Sequence, residues 1–308
     1  MRTVSTALSS KHPFWLGVGF ALLAAVGFSA KAILVKLAYQ EHVNAITLLS
    51  LRMAFSVPAF IAVALWSNRT QGLAPLSRRD WFAVLGLGLV GYYLASYLDF
   101  VGLQYISAGL ERLTLFLYPT LVVLLSAWWF RHAIGRRELA ALALSYAGIA
   151  LVVVHDTALL HGHIALGMTL VFGSALAYAI YLIGAGRVMA RIGTMRFTAY
   201  ALTVSCLASL LQFGLTQPLS ALHLSGRVYG LSLGMALFST VLPAFLLSAA
   251  MRRIGAKHTA LIGAIGPVTT IYLAYVFLGE TISPLQITGS VLVLCGVMMV
   301  SLGKRTPA

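Results

Sequence analysis

The sequence predicts an all-α integral membrane protein: ten transmembrane helices arranged as two inverted five-helix repeats. Three observations carry that expectation. Of 308 residues, 60% are hydrophobic and 9% charged, with a mean hydropathy of +0.93, whereas a soluble globular chain is nearer half apolar and a quarter charged. The apolar residues fall into ten stretches, each near the roughly 20 residues that cross a hydrocarbon core about 30 Å thick. Finally, the chain matches itself at an offset of 148 residues.

The ten stretches run over 14–36, 43–66, 81–102, 108–130, 138–155, 164–184, 196–215, 228–250, 257–279 and 284–303. Short connections, often containing Gly, Pro or Arg, leave no room for a soluble catalytic domain, so function must sit among the helices. The start, Met1 to Ala32, has features of a secretory signal, with Ser29-Ala30-Lys31-Ala32 as a small-residue site. Cleavage there would discard the mate of the sixth span, and the segment reads better as the first membrane helix.

Charge fixes the expected orientation. The net charge of +14 would suggest nucleic acid in a soluble chain, but alternate loops account for it here. With a cytoplasmic N-terminus, sixteen of the 21 Lys and Arg residues lie in cytoplasmic segments, from Arg2 and Lys11 to Lys304 and Arg305. This bias predicts an even number of spans and both termini in the cytoplasm, with no nucleic-acid partner. Cys206 and Cys295, each within an apolar run, indicate neither a disulfide framework nor a cysteine metal site.

The offset of 148 aligns all five early spans with all five late ones without a gap. Gly19 falls on Gly167, Gly86 on Gly234, Pro119 on Pro267, Ile134 on Ile282 and Gly148 on Gly296. With nine prolines in the chain, a mid-span pair in register favours duplication over accident. The units are 1–156 and 157–308. Five spans is an odd number, so the second unit enters the membrane from the opposite side. Inverted halves meet across a pseudo-two-fold axis in the membrane plane, where secondary carriers bind substrate. Pro119 and Pro267 are the candidate hinges, since a missing N–H kinks a helix; a packing kink is the plainer alternative. Close-spaced Gly86, Gly88 and Gly91 permit close helix approach.

On these residues the chain resembles the EamA type of the drug/metabolite transporter superfamily. The second half follows that family's pattern in Pro267, Leu278-Gly279-Glu280, Thr281-Ile282, Gln286, Gly289 and Gly296. The first half keeps Pro119, Ile134 and Gly148 but has Arg131-His132 where Gly-Glu is usual, and Ala141 where Gly is usual. The resemblance implies a cell-membrane transporter of small metabolites, a class that includes carriers of amino acids, nucleotide sugars and toxic compounds.

A charge at the bilayer centre costs at least about 2.5 kcal/mol, so each one needs a partner, water or a purpose. Lys31, Arg52, Asp99, Glu111 and Arg112 all fall within first-half spans, at one expected level in the outer part of the bilayer. Their repeat mates are Ala179, Tyr200, Leu247, Thr259 and Ala260. A one-sided polar cluster on a two-sided scaffold suits ligand chemistry. In that reading Asp99 and Glu111 titrate or hold a cationic group, while Arg52, Arg112 or Lys31 holds an anionic one. The alternative is a structural ion-pair network with Lys31 snorkelling to headgroups. Tyr97 and Tyr178 are candidate cavity-lining residues, among Phe28, Tyr92, Tyr93, Tyr181 and Tyr272.

His155, Asp156, His161 and His163 cluster in the loop joining the halves, but their spacing fits a solvated linker better than a metal site. His132 and Glu280 occupy equivalent positions at opposite faces, where each is expected to cap or turn a helix. No G-x-x-x-x-G-K-S/T, H-E-x-x-H or G-x-S-x-G motif occurs. The sequence therefore predicts a cofactor-free secondary carrier, with outward export of a small molecule such as an amino acid by alternating access. Its partners are that substrate and membrane lipid, and it is a monomer or weak homodimer. The competing classes are an intramembrane enzyme acting on a lipid or isoprenoid phosphate, and a membrane scaffold.

Overall fold

The computed structural model describes residues 12–70, 75–131, 133–159 and 163–301, and among these residues every regular element is a helix. His132 and His161 lie outside the described residues, as do Arg2, Lys11, Lys304 and Arg305. Ten helices cross in succession: α1 (His12–Tyr39), α2 (Ala45–Thr70), α3 (Arg78–Gly102), α4 (Ala108–Trp129), α5 (Arg136–Leu159), α6 (Ile164–Ile192), α7 (Thr194–Thr216), α8 (Gly226–Gly255), α9 (Leu261–Leu278) and α10 (Pro284–Ser301). Nine are long and apolar enough to span a membrane, and the tenth is a shorter apolar helix. Large apolar side chains remain exposed around the bundle, including Leu215, Phe82 and Val268, as expected where the solvent is lipid.

Local chemistry sets the ends. Ser77 Oγ accepts from Asp80 N–H at 3.1 Å to start α3, and Ser107 Oγ accepts from Leu110 N–H at 3.0 Å to start α4, each satisfying a first-turn donor. The segment containing α4 stops at Arg131, with φ 54°, and α9 stops at Gly279, with φ 68°. These two positions are repeat mates, so the left-handed turn persists even where the residue is not glycine. Trp15, Trp66, Trp81, Trp128 and Trp129 are all exposed and cluster by topology at the arginine-rich end, the expected site of an aromatic belt.

The inversion is visible in the helix pairs. Between α2 and α7, Asn44 pairs with Gln217, Ser50 with Ser209 and Met53 with Cys206, so sequence number rises on one helix as it falls on the other. Between α5 and α10, a Cβ on Gly148 would strike Gly289 O, and one on Gly296 would strike Ala141 O. These two contacts exchange under the 148-residue offset. Repeat mates thus lie antiparallel, and the unrelated pairs also come in twos: α1 packs on α8 as α6 packs on α3, and α1 on α9 as α6 on α4.

Two local irregularities obey the same symmetry. A π-helical turn interrupts α3 at Leu89–Leu94 and α8 at Leu237–Val241. Both α4 and α9 are discontinuous: α4 has one segment at Ala108–Leu115 and resumes at Tyr118, while α9 resumes at Gly266. The sequence suggests mid-helix kinks at Pro119 and Pro267. At each, the regular helix tightens into a short turn that keeps right-handed helical backbone, with Leu117 N–H donating to Thr114 O and Ile265 N–H to Ile262 O at 3.1 Å, and the proline sits in the first turn of the resumed segment, where its missing N–H costs no hydrogen bond.

Candidate functional site

The break in α4 divides it into a short segment carrying Glu111 and Arg112 and a longer one beginning at Tyr118. Within the short segment, Glu111 and Arg112 are adjacent and so diverge by about 100° around the helix. Glu111 is fully buried and turns to α1 and α3, where Lys31 Nζ donates to Asp99 Oδ2 at 2.5 Å and to Glu111 Oε1 at 2.9 Å. One ammonium therefore bridges two carboxylates from helices 68 and 80 residues away. The remaining oxygens, Asp99 Oδ1 and Glu111 Oε2, are buried and accept no hydrogen bond from the described residues.

Arg112 takes the other direction. Its guanidinium lies against the break in α9, close enough that a Cβ on Gly266 would fall 2.9 Å from an Arg112 terminal nitrogen. Among the described residues no carboxylate stands within 4 Å of it, and its Nε is buried without an acceptor. Ser29 Oγ reaches Gly266 O at 2.9 Å and Thr270 Oγ1 donates to Ser29 O at 3.3 Å, pinning α1 to the same break. The resumed segments beginning at Tyr118 and Gly266 have no side-chain cap. Their positive ends meet this region beside an arginine that has no described carboxylate within 4 Å, an arrangement that favours an anion.

Arg52, 6% exposed, occupies a third direction. It donates to Ser96 Oγ at 3.3 Å and its guanidinium carbon lies 4.9 Å from the centre of the Phe100 ring, so its charge is held by a hydroxyl and a π face. The charge of Asp99, one residue before Phe100, acts on it from beyond salt-bridge distance. Tyr39 Oη donates to Phe100 O at 2.6 Å, closing the layer above.

Of the two tyrosines expected to line a cavity, Tyr178 packs on Tyr118, at the start of the resumed α4 segment. Its ring meets Tyr118 edge-on at 5.2 Å and stacks on Tyr181 at 5.6 Å, and Tyr181 exchanges a hydroxyl hydrogen bond of 3.0 Å with Tyr92. The charge of Arg112 reaches both Tyr118 and Tyr178. Tyr97 stands apart, stacked on Tyr93 at 6.5 Å one turn earlier in α3. Tyr118, Ser29 and Gly266 belong to the site but were not singled out by sequence. Tyr118 carries a signal, since it directly precedes Pro119 in a broken span; the other two are small residues whose placement depends on helix rotation.

Comparison with known proteins agrees with this architecture. Residues 15–154 and residues 165–302 each match the EamA-like transporter family. The chain is 31% identical over 279 residues to the uncharacterized transporter YcbK of Bacillus subtilis, covering 89% of this chain and 88% of that one. It is also 25% identical to the uncharacterized transporter sll1319 of Synechocystis, covering 95% of both chains. A solved crystal structure aligns with a TM-score of 0.64 at 18% identity over 93% of this chain and 96% of its own, which speaks to the fold alone. With both halves of a ten-helix inverted bundle matched and full-length relatives named as transporters, the chain belongs to the EamA-like transporter family.

Proposed function

We propose that the protein is a secondary exporter of small carboxylate-bearing metabolites, such as amino acids or related compounds. It works by alternating access across the cell's inner membrane, with both termini in the cytoplasm. One observation supports this above the rest: the Arg112 guanidinium lies against the α9 break with no carboxylate of the described residues within 4 Å, near the uncapped starts of two resumed half-helices. Broken helices with their N-termini at a substrate's anionic group are the recurring solution in inverted-repeat carriers. Arg112 takes the carboxylate, Tyr118 and Tyr178 flank it, and Arg52 holds the neighbouring layer.

The Lys31–Asp99–Glu111 triad supplies the complementary charge. Its two open carboxylate oxygens accept either a proton or the ammonium of a zwitterion, with Lys31 as the resident cation that such a group displaces. Pro119 and Pro267, at the first turns after the breaks, mark the joints about which the half-helices swing. The positive-inside bias favours the arginine-rich end as cytoplasmic.

The test is reconstitution of the pure protein in sealed vesicles loaded with an equimolar mixture of the twenty amino acids. Efflux is read by mass spectrometry with and without a proton gradient, and again for Arg112→Gln and for Asp99→Asn with Glu111→Gln. Gradient-dependent efflux of a component, lost in both variants while each still folds, is the expected result. Efflux that survives both variants removes the site, and absence of any efflux removes the amino-acid reading. Turnover of a lipid phosphate by the protein in detergent would replace transport with enzymology, since a carrier needs two compartments.

A further inference from the structure

The short α4 segment that carries Glu111 and Arg112 is held from the other repeat. At the turn after α9, the Glu280 carboxylate accepts from Ala108 N–H at 3.0 Å through Oε1 and stands 3.5 Å from Gly109 N through Oε2. Ser107 Oγ takes the Leu110 N–H, so two side chains, one from each repeat, satisfy the exposed donors of this eight-residue helix. Gly109 makes the approach possible, because a Cβ there would fall 2.5 Å from Gln286 Nε2 on α10.

The repeat offers an internal control. Glu280 has His132 as its mate, so at the matching sequence position the first half carries an imidazole in place of a carboxylate. The second half has Thr259 and Ala260 where the α4 segment has Glu111 and Arg112. The sequence thus supplies the capping carboxylate to the helix that bears the charged pair, and a histidine at the matching position of the other repeat. If the cap served only to end a helix, the symmetric scaffold would need it twice.

We propose that Glu280 is a positioning residue for the binding charges: through the Ala108 and Gly109 amides it fixes the short α4 segment, and with it Glu111 and Arg112. A negative charge at this N-terminus also opposes the helix's tendency to draw the Glu111 carboxylate back toward its own first turn. Because the cap comes from the opposite repeat, any motion that separates the outer ends of the repeats also releases the segment. The inference rests on the assignment of Glu111 and Arg112 to the substrate site for its meaning, but its geometry is tested separately.

The experiment places a reporter thiol on the segment, Thr114→Cys, in a Cys206→Ala, Cys295→Ala background, with Ser205→Cys on α7 as the distant control; both positions are fully buried. Reaction with a small charged methanethiosulfonate is timed for Glu280, Glu280→Gln and Glu280→Ala. Losing a charge-assisted cap is expected to speed Thr114→Cys modification about tenfold in the Ala variant. Glu280→Gln, which retains a carbonyl acceptor, should give no more than about threefold, and Ser205→Cys should not change. Half-saturation for efflux of the amino-acid mixture should rise in the same order, with the maximal rate little altered.

Unchanged Thr114→Cys rates in both variants overturn the proposal, as does equal acceleration of the Ser205→Cys control. If Glu280→Ala fails to fold, Glu280→Gln decides alone: its reporter must accelerate relative to the parent while its control does not. Should Arg112→Gln leave transport intact while the reporter responds to Glu280, the substrate-site reading fails and the cap stands. Should Arg112→Gln abolish transport while the reporter ignores Glu280, the cap fails alone.

Discussion

Lys31 should matter more to stability than either carboxylate it binds. At 2.9 Å from Glu111, one unit pair is worth about 6 kcal/mol of attraction at an effective dielectric of about 20, most of it offset by desolvation. The decisive quantity is what remains when one member goes. Lys31→Met leaves two carboxylates, 4% and 0% exposed, facing each other without the bridging cation, and breaking a buried pair in this way costs about 3–5 kcal/mol. Asp99→Asn or Glu111→Gln leaves one positive and one negative group, so each should cost about 1–2 kcal/mol, the scale of a lost charged hydrogen bond. Adding both carboxylate neutralisations to Lys31→Met should recover most of the loss. The measurement is reversible unfolding in detergent or bicelles, with the triple variant closing the cycle. Reasoning from a shared ammonium is refuted if Lys31→Met is no worse than Asp99→Asn, or if the triple variant is as unstable as the single.

Three further outcomes follow from the geometry. Arg131 holds a left-handed turn at φ 54° that its mate Gly279 makes at φ 68°, so Arg131→Gly should raise stability by about 1 kcal/mol, read as a higher unfolding midpoint. Gly289→Ala would press a Cβ toward Gly148 O and Val152 between α5 and α10, and should lower stability by about 1–3 kcal/mol, with Gly214→Ala, where nothing lies within 4 Å, as the neutral control. Tyr92→Phe removes the partner of the Tyr181 hydroxyl and should cost about 1 kcal/mol; a double cycle with Tyr181→Phe should recover part of that.

How far the sequence carried the structure can be seen at particular residues. Span number, the repeat and its inversion were legible because each rests on features independent of helix rotation: hydropathy over 20 residues, the register of Pro119 with Pro267, and an odd count per half. The grouping of Lys31, Asp99 and Glu111 was legible only as a shared level. That one ammonium bridges both carboxylates depends on how α1, α3 and α4 turn about their axes, and that Arg112 leaves the group for the α9 break depends on the same angles. The prolines pointed to the right places, where the helix tightens into a short turn and goes on. How far the regular helix is interrupted was not legible: the first segments end at Leu115 and Gly263, three residues before the Tyr-Pro and Gly-Pro pairs. The π-turns in α3 and α8 left no sequence signal beyond nearby glycines.

The one-sidedness of the charges has a consequence for a carrier of this design. If the two repeats were identical, the operation that exchanges them would also exchange the inward-open and outward-open states, and the two would have equal energy. Any preference must come from residues that break the symmetry. Here those are concentrated at one end: the Lys31 triad with mates Ala179, Leu247 and Thr259, and Glu280 with mate His132. In this structure the Glu280 cap is made across the two repeats, so it favours the packing in which that end is closed, while the paired triad, all within the first repeat, holds the α4 segment that the cap meets. A ligand or proton that disengages Lys31 subtracts from the same side, and a bias of about 1.4 kcal/mol already changes the ratio of states tenfold. The prediction is that Lys31→Met, Asp99→Asn, Glu111→Gln and Glu280→Gln combined shift the population toward separation of these ends. Spin labels at Gln104, between α3 and α4, and Leu219, between α7 and α8, would report it as growth of a longer-distance component. A distance distribution that stays unchanged with all four groups neutralised would mean that the asymmetry serves binding alone and that the conformational preference arises in the apolar packing.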